Sequence, residues 1–185
     1  NAQSRVLEEA LLRLQIPYRI YGGQKFYERQ EIRNALAYLR LVVNRNDDAA
    51  FERVVNTPTR GIGDKTVQIL RRLARHEGIP MWSAGEKAIT EKDLSGRAAT
   101  AVQSFMNLVD KLDSDSASEL LPEQVDNIIA GSGLIEFCRQ EKGDRGQSRV
   151  ENLQELVVAC RGFEPEDADQ SALPQFLDQA ALDAG

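Results

Sequence analysis

The chain has 185 residues, of which 42% are hydrophobic and 28% are charged, an ordinary composition for a globular protein. It carries a formal net charge of −6, two cysteines and one histidine, and no run approaches the roughly 18 apolar residues of a membrane-spanning helix. These values exclude a helix that crosses a membrane, a disulfide-stapled scaffold and a histidine-based metal cluster, and they allow one sizeable domain or two small ones.

The chain begins with a predicted helix over residues 4–14, followed by a short predicted strand over residues 18–21. Pro17 ends the helix, and Gly22-Gly23 closes the strand. A helix followed by a strand is typical of an α/β domain that is cut off at its start. Since the chain also lacks an initiator methionine, we expect a fragment or a processed piece. The apolar face of the helix consists of Val6, Leu7, Ala10, Leu11 and Leu14.

From Glu28 onward the apolar spacing is helical throughout, which predicts a mainly α fold. A long helix carries Ile32 to Val43 on one apolar face, and Asp47 or Asp48 can cap the next helix. A further helix follows residue 63 and ends at Gly78. Later helices are predicted over residues 80–90, 95–112, 122–131, 133–141, 146–162 and 171–183, with breaks at Ser132-Gly133 and residues 143–146 and an exposed acidic loop over residues 164–169.

Between two of these helices lies the segment TPTRGIGDKT, residues 57–66, in which Gly61 and Gly63 flank Ile62. Glycine accepts positive φ angles and has no Cβ to hinder a close approach, so the pattern predicts a tight hairpin with Ile62 inserted into the core. The hairpin amides and the positive end of the following helix can face an anion such as a DNA phosphate. The pattern also fits a simple turn between helices.

Basic residues concentrate around this hairpin. Residues 53–75 contain six basic residues against the single acidic residue Asp64, within a chain that is acidic overall. A local basic patch on an acidic protein is typical of a phosphate-binding face, so the cluster favours DNA binding. The basic residues are Arg53, Arg60, Lys65, Arg71, Arg72 and Arg75.

Other chemistry-bearing residues fit structural roles. The sequence Gly63-Asp64-Lys65-Thr66 lacks the adjacent Gly-Lys and the preceding strand of a phosphate-binding P-loop, so it implies no nucleotide site. Cys138 and Cys160 form no C-x-x-C pair and are expected to be buried, reduced thiols. No metal site and no catalytic constellation are predicted. Trp82 and Phe105 are expected in the core, and His76 at a solvated helix end.

Several segments together resemble the UvrD/Rep/PcrA-type DNA helicases of superfamily 1. The segments are NAQSRVLEEALL, IPYRIYGGQKFYERQEIRNALAYLRLVVNRNDDAAFERVVNTPTRGIG and SRVENLQEL, and the resemblance covers essentially the whole chain. It implies that residues 1–21 are a remnant of the RecA-like motor domain 2A. Residues 22–170 then form the helical 2B accessory subdomain with its helix-hairpin-helix-like element, and residues 171–185 lead back to 2A.

The resemblance also implies a parent enzyme, a bacterial cytoplasmic, ATP-dependent 3′-to-5′ DNA helicase that acts in DNA repair with ATP and Mg²⁺. Its implied partners are duplex DNA and single-strand/duplex junctions without sequence preference, the parent motor domains and repair proteins, with no membrane. The fragment lacks the P-loop and the acidic metal-binding motif, so we expect no cofactor and no ATP hydrolysis from the piece alone.

Residue roles carried over from the family place DNA contacts at Thr59, Arg60, Gly61, Ile62 and Gly63, with Lys65 in the same basic cluster. Arg5 resembles a motor-domain residue on the single-strand track. The resemblance implies hinge or structural roles for Gly22, Gly23, Phe26, Arg149 and Asn152, and rotation about residues 21–24 and 170–174. A protein-interaction module that docks repair or transcription partners is the alternative function.

Overall fold

The computed structural model describes residues 2–13 and 23–185, and every regular element within these two ranges is an α-helix. The mainly α class expected from the sequence is therefore confirmed, whereas the predicted strand over residues 18–21 and the hinge residue Gly22 lie outside the described residues. The helices are α1 (Ala2–Arg13), α2 (Gly23–Glu28), α3 (Gln30–Val43), α4 (Asp48–Val54), α5 (Asp64–Glu77), α6 (Met81–Thr90), α7 (Gly96–Ser116), α8 (Leu121–Gly131), α9 (Leu134–Arg139), α10 (Asp144–Arg161) and α11 (Ala172–Asp183).

Helix α3 is the centre of the fold, since α2, α4 and α7 to α11 all pack against it. Its residues from Glu31 to Val42 are buried except for Arg33 and Arg40, and a helix of that kind is stable only when it is surrounded. Ile32, Tyr38, Leu39 and Leu41 are fully buried. Arg33 is the exposed residue in this otherwise buried stretch.

The carboxyl end of α3 is held by Arg45. Its guanidinium donates to the carbonyl oxygens of Leu41, at 3.1 Å, and Val42. The same group pairs with Asp110 at 3.0 Å and Asp113 at 2.9 Å, both on α7. One side chain thus satisfies carbonyl groups that a helix end leaves free and joins α3 to α7.

Helix α4 begins at an aspartate cap, as predicted. The side chain of Asp47 accepts a hydrogen bond from the Ala50 amide at 2.9 Å, which identifies Asp47 rather than Asp48 as the cap. Asp48 instead accepts from the Met81 amide at 2.8 Å, at the start of α6. Two adjacent carboxylates therefore satisfy the amino ends of two different helices.

An aromatic cluster fills the space between α4, α6 and α7. Phe51 meets Trp82 edge-on with ring centroids 6.4 Å apart, and it meets Phe105 edge-on at 5.7 Å. Both Trp82 and Phe105 are buried, as predicted. Edge-to-face pairs add to the free energy of burial, so this cluster anchors α4, the helix that precedes the predicted hairpin, to α6 and α7.

Two predicted helix limits differ from the structure. Helix α7 continues to Ser116 rather than ending at residue 112. Gly146 lies inside α10 rather than in a break. A Cβ at this position would lie 2.6 Å from the carbonyl oxygen of Cys138 and 2.8 Å from that of Glu141. The glycine permits close approach of two chain segments, and Gly143, with φ of 76°, marks the actual helix start.

Helix α11 shares the core of the other helices. Leu173, Phe176, Leu177 and Ala180 are buried, and the helix packs against α2 and α3. The predicted division of the chain near residue 170 remains a prediction. The structure shows that the residues on both sides of this position pack together.

Helix α1 contacts α10 through Arg5, whose guanidinium pairs with Glu155 at 3.1 Å and Glu151 at 3.6 Å. Val6 and Leu7, predicted on the apolar face of this helix, are 69% and 63% exposed. No helix among the described residues is both long enough and apolar enough to cross a lipid bilayer.

Candidate nucleic-acid interface

The predicted hairpin is the connection between α4 and α5, residues 55–63, which we call the GIG loop. Ile62 is 1% exposed, so the prediction that it inserts into the core is confirmed. The side-chain oxygen of Asn56 accepts from the backbone amides of Arg60 at 2.7 Å and of Ile62 at 3.2 Å. A buried aliphatic anchor and one amide side chain thus fix the inner side of the loop.

The outer side of the GIG loop consists of small, exposed residues. Thr59, Gly61 and Gly63 are exposed, and a Cβ on either glycine would meet no heavy atom within 4 Å. Gly61 has φ of +77°, a conformation that L side chains rarely adopt. The loop backbone at these two glycines is therefore open to close approach from solvent.

The half-buried side chain of Arg60 turns from the loop towards the flanking helices, and its expected role as a phosphate ligand stays a prediction. Its guanidinium donates to the carbonyl oxygens of Val54 at 3.1 Å, Pro58 at 3.0 Å and Ser132 at 3.0 Å. It also donates to the Tyr38 hydroxyl at 2.5 Å. Its carbon Cζ lies 5.6 Å from the Tyr38 ring centroid and 5.4 Å from that of the buried Phe105.

The Tyr38 hydroxyl continues this set of bonds by donating to the carbonyl oxygen of Thr57 at 2.6 Å. Burial raises the pKa of Tyr38 to about 12, against the opposing effect of the Arg60 charge. The hydroxyl therefore keeps its proton at neutral pH, accepts from Arg60 and donates to the loop.

Exposed basic residues continue from the loop along α5. Lys65, Arg72 and Arg75 follow each other at helical spacing, so they form one stripe about 15 Å long. In the described part of the chain, no carboxylate lies within ion-pair distance of these three residues. Arg71, beside the stripe, pairs with Glu52 at 2.7 Å. Of the six basic residues in the cluster, three thus form the exposed stripe, and Arg71 is paired with Glu52. The half-buried Arg60 and Arg53 are the remaining two.

Sequence reasoning missed Arg33 and did not distinguish Arg53 from its neighbours. Arg53, on α4, lies next to Arg33 of α3, and burial together with the Arg33 charge lowers the pKa of Arg53. Nε of Arg53 is buried without a hydrogen-bond partner, and neither arginine pairs with a carboxylate among the described residues. The sequence carries no clear signal for Arg33, because α3 also contains the charged residues Glu31 and Arg40.

The predicted hinge and structural residues lie elsewhere in the fold. Phe26, 3% exposed, packs edge-on against Tyr27 with centroids 5.3 Å apart. Gly23 is the first residue of α2. Arg5, expected on a single-strand track, makes the ion pairs with α10 described above, and its DNA role stays a prediction.

Arg149 and Asn152 belong to a polar cluster around the buried carboxylate of Glu31. Asn152 donates to Glu31 at 2.6 Å, and the Arg149 guanidinium lies 3.7 Å from the same carboxylate. Arg149 also pairs with Glu141, while Asn152 accepts from Arg29 at 2.5 Å. The cluster joins the start of α3 to α10, and the structural roles expected of Arg149 and Asn152 stay predictions.

Charge is distributed unevenly along the chain. Residues 1–105 contain 17 basic and 12 acidic residues, whereas residues 106–185 contain 6 basic and 17 acidic residues. The GIG loop and the α5 stripe belong to the basic part. No group of histidine, cysteine and carboxylate side chains suited to a metal ion occurs within residues 2–13 and 23–185.

Comparison with known proteins places the chain within one family. A sequence model of the UvrD-like helicase C-terminal domain matches residues 1–185. The chain is 56% identical over its full length to DNA helicase II of Escherichia coli and covers 26% of that protein. It is 37% identical over 98% of its length to ATP-dependent DNA helicase PcrA of Bacillus subtilis and covers 24% of it. The chain thus spans about a quarter of the length of these relatives.

Proposed function

Because this chain belongs to the UvrD-like helicase C-terminal domain family, we propose that it is the duplex-binding accessory subdomain of an ATP-dependent DNA helicase that acts in repair. One observation carries the proposal. The GIG loop presents exposed small residues and continues directly into the unpaired basic stripe of α5. A backbone surface open to close approach, next to cations without counter-charges, is suited to a phosphate backbone.

In this proposal the parts of the surface have separate tasks. The outer residues Thr59, Gly61 and Gly63 allow the DNA backbone to approach the loop amides. Lys65 and Arg72 supply charge, and Arg33 and Arg53 extend the basic surface towards α3 and α4. Contacts of this kind carry no base information, so the bound DNA is chosen by charge and shape.

The mechanism is positional. The subdomain holds the duplex ahead of the junction, while motor domains outside this chain hydrolyse ATP and pull one strand. Rotation about residues 21–24 and 170–174 moves the GIG loop towards or away from the duplex. Such a rotation affects unwinding only if DNA binds one orientation more tightly than the other.

The test compares two double variants by fluorescence anisotropy on a DNA hairpin with a single-stranded tail, over a series of salt concentrations. Lys65→Gln/Arg72→Gln removes two charges from the α5 stripe. The matched control, Arg139→Gln/Arg161→Gln, removes two exposed charges from α9 and α10. The stripe variant should bind about tenfold more weakly at low salt, and its slope of log K against log salt should be shallower by about 1.8.

The control should keep both the affinity and the slope of the unchanged protein. Equal binding by all three proteins would contradict duplex binding by this face. It would favour the alternative function, a module that docks other proteins.

A further inference from the structure

We propose that Arg60 is a positioning residue, which holds the GIG loop in its DNA-binding conformation from below and makes no phosphate contact itself. This inference rests on the proposed function, because the conformation matters only if the loop binds DNA. In this inference the basic cluster contains two kinds of arginine. Arg72 faces solvent, whereas the guanidinium of Arg60 faces the flanking helices.

The hydrogen bonds of Arg60 support this role. Three bonds from its guanidinium end on carbonyl or hydroxyl oxygens of α3, α4 and the turn between α8 and α9. A fourth ends on the Pro58 carbonyl oxygen within the loop. The guanidinium has five N–H donors in a planar fork, so a group with four acceptors in place is largely occupied.

The surroundings of the guanidinium lead to the same conclusion. Its carbon Cζ lies over the rings of Tyr38 and Phe105, at 5.6 and 5.4 Å from their centroids. Cations over aromatic faces are attracted to the ring quadrupole, and the attraction grows when water is excluded. Movement of Arg60 out to a phosphate would break these contacts and leave buried acceptors unpaired.

The contact with Ser132 extends this role beyond the loop. Ser132 is 72 residues away in sequence, in the turn where α8 meets α9. A Cβ on the neighbouring Gly133 would lie 3.4 Å from the Pro58 ring, so the turn lies close to the loop. Arg60 therefore fixes the loop to the second half of the chain as well as to its own flanking helices.

The salt dependence of DNA binding separates positioning from phosphate contact. Arg60→Met keeps much of the stem but removes the fork, and Tyr38→Phe removes one acceptor while leaving every charge in place. If Arg60 positions the loop, both variants should bind the tailed DNA hairpin several-fold more weakly with an unchanged slope of log K against log salt. Hydrogen exchange at the Ile62 amide should be faster in both.

Other outcomes overturn the inference. A slope shallower by about 0.9 in Arg60→Met, with normal binding by Tyr38→Phe, would make Arg60 a phosphate ligand. Normal affinity and normal Ile62 exchange in Tyr38→Phe would show that the hydrogen bonds from Arg60 to the Tyr38 hydroxyl and from that hydroxyl to Thr57 do not hold the loop. If neither the unchanged protein nor the Lys65→Gln/Arg72→Gln variant shows salt-dependent binding, the proposed function fails. The exchange data then still report whether Arg60 fixes the loop.

Discussion

Gly61 and Gly63 differ in the backbone conformation that the GIG loop imposes on them. Gly61 has φ of +77°, whereas Gly63, the residue that precedes α5, has φ of −78°. Neither has a heavy atom in the space that a Cβ would occupy. Since neither position is crowded, a difference between alanine substitutions at Gly61 and Gly63 reflects the backbone conformation.

Alanine substitutions at these glycines should affect stability unequally. Gly61→Ala forces an L residue into the left-handed region and should lower the free energy of unfolding by about 1–2 kcal/mol. Gly63→Ala meets no such strain and should change it by less than about 0.5 kcal/mol. Urea unfolding followed by circular dichroism measures both. Equal losses in the two variants would show that φ at residue 61 does not govern the loop.

The same loop shows what a sequence can and cannot reveal about single residues. An aliphatic residue between two glycines is enough to predict that Ile62 is buried. The orientation of Arg60 could not be predicted, because two of its four acceptors lie 22 and 72 residues away, at Tyr38 and Ser132. A sequence shows that a charge is present, but the direction of its side chain depends on contacts between distant segments.

At the scale of elements, the glycine inside α10 has a packing role. The backbone of α9 and of the residues after it approaches Gly146 so closely that a methyl group there would overlap the Cys138 carbonyl oxygen. Gly96, the first residue of α7, has no heavy atom in the corresponding space. A comparison of alanine substitutions at Gly146 and Gly96 therefore separates the effect of helix propensity on stability from the effect of packing.

Gly146→Ala should lower the free energy of unfolding by about 1–3 kcal/mol, because the overlapping backbone atoms must move apart. Gly96→Ala should raise it by about 0.4–1 kcal/mol, because alanine restricts the unfolded chain more than glycine does. Urea midpoints of the two variants test this difference in sign. Stabilisation by Gly146→Ala would contradict the close approach of α9 and α10.

Helices were easier to predict than the breaks between them. Apolar spacing located the helices from α3 onward, and local chemistry at Asp47 and Gly78 identified the start of α4 and the end of α5. The sequence predicts a break at Gly146, because glycine disfavours helices by itself. Glycine fits at this position of α10 because the backbone of Cys138, in another helix, lies close to it. No local sequence pattern shows that contact.

At the scale of the whole molecule, four buried acidic groups keep their protons to high pH. Burial raises the pKa of Cys138 to about 11 and that of Cys160 to about 12. It also raises the pKa values of Tyr27 and Tyr38 to about 12. In the unfolded chain, thiols lose protons near pH 8.5 and tyrosines near pH 10, approximately.

Stability should therefore fall as the pH rises above about 8.5, since the unfolded chain then binds fewer protons than the folded one. The urea midpoint should decrease between about pH 8 and pH 10. A Cys138→Ala/Cys160→Ala variant should be less stable throughout, yet lose less over this interval. A midpoint in the unchanged protein that is constant up to about pH 10 would show that the thiols are not protected by burial.

The arrangement of the whole molecule was only partly predictable. The family resemblance placed a boundary near residue 170, yet Leu173 and Phe176 beyond it are buried with α2 and α3. Residues on both sides of this boundary are buried together because distant helices pack against each other. The periodicity of apolar residues along the chain does not reveal such packing.

The exposed stripe of Lys65, Arg72 and Arg75 gives an acidic molecule one local basic surface. The basic residues of the first 105 positions exceed the acidic ones by five, whereas the remaining 80 positions have an acidic excess of eleven. Within about one Debye length, roughly 8–10 Å in physiological salt, a polyanion is attracted to a basic surface and repelled by acidic ones. In the proposed function, the encounter itself therefore selects the orientation in which this acidic protein meets DNA.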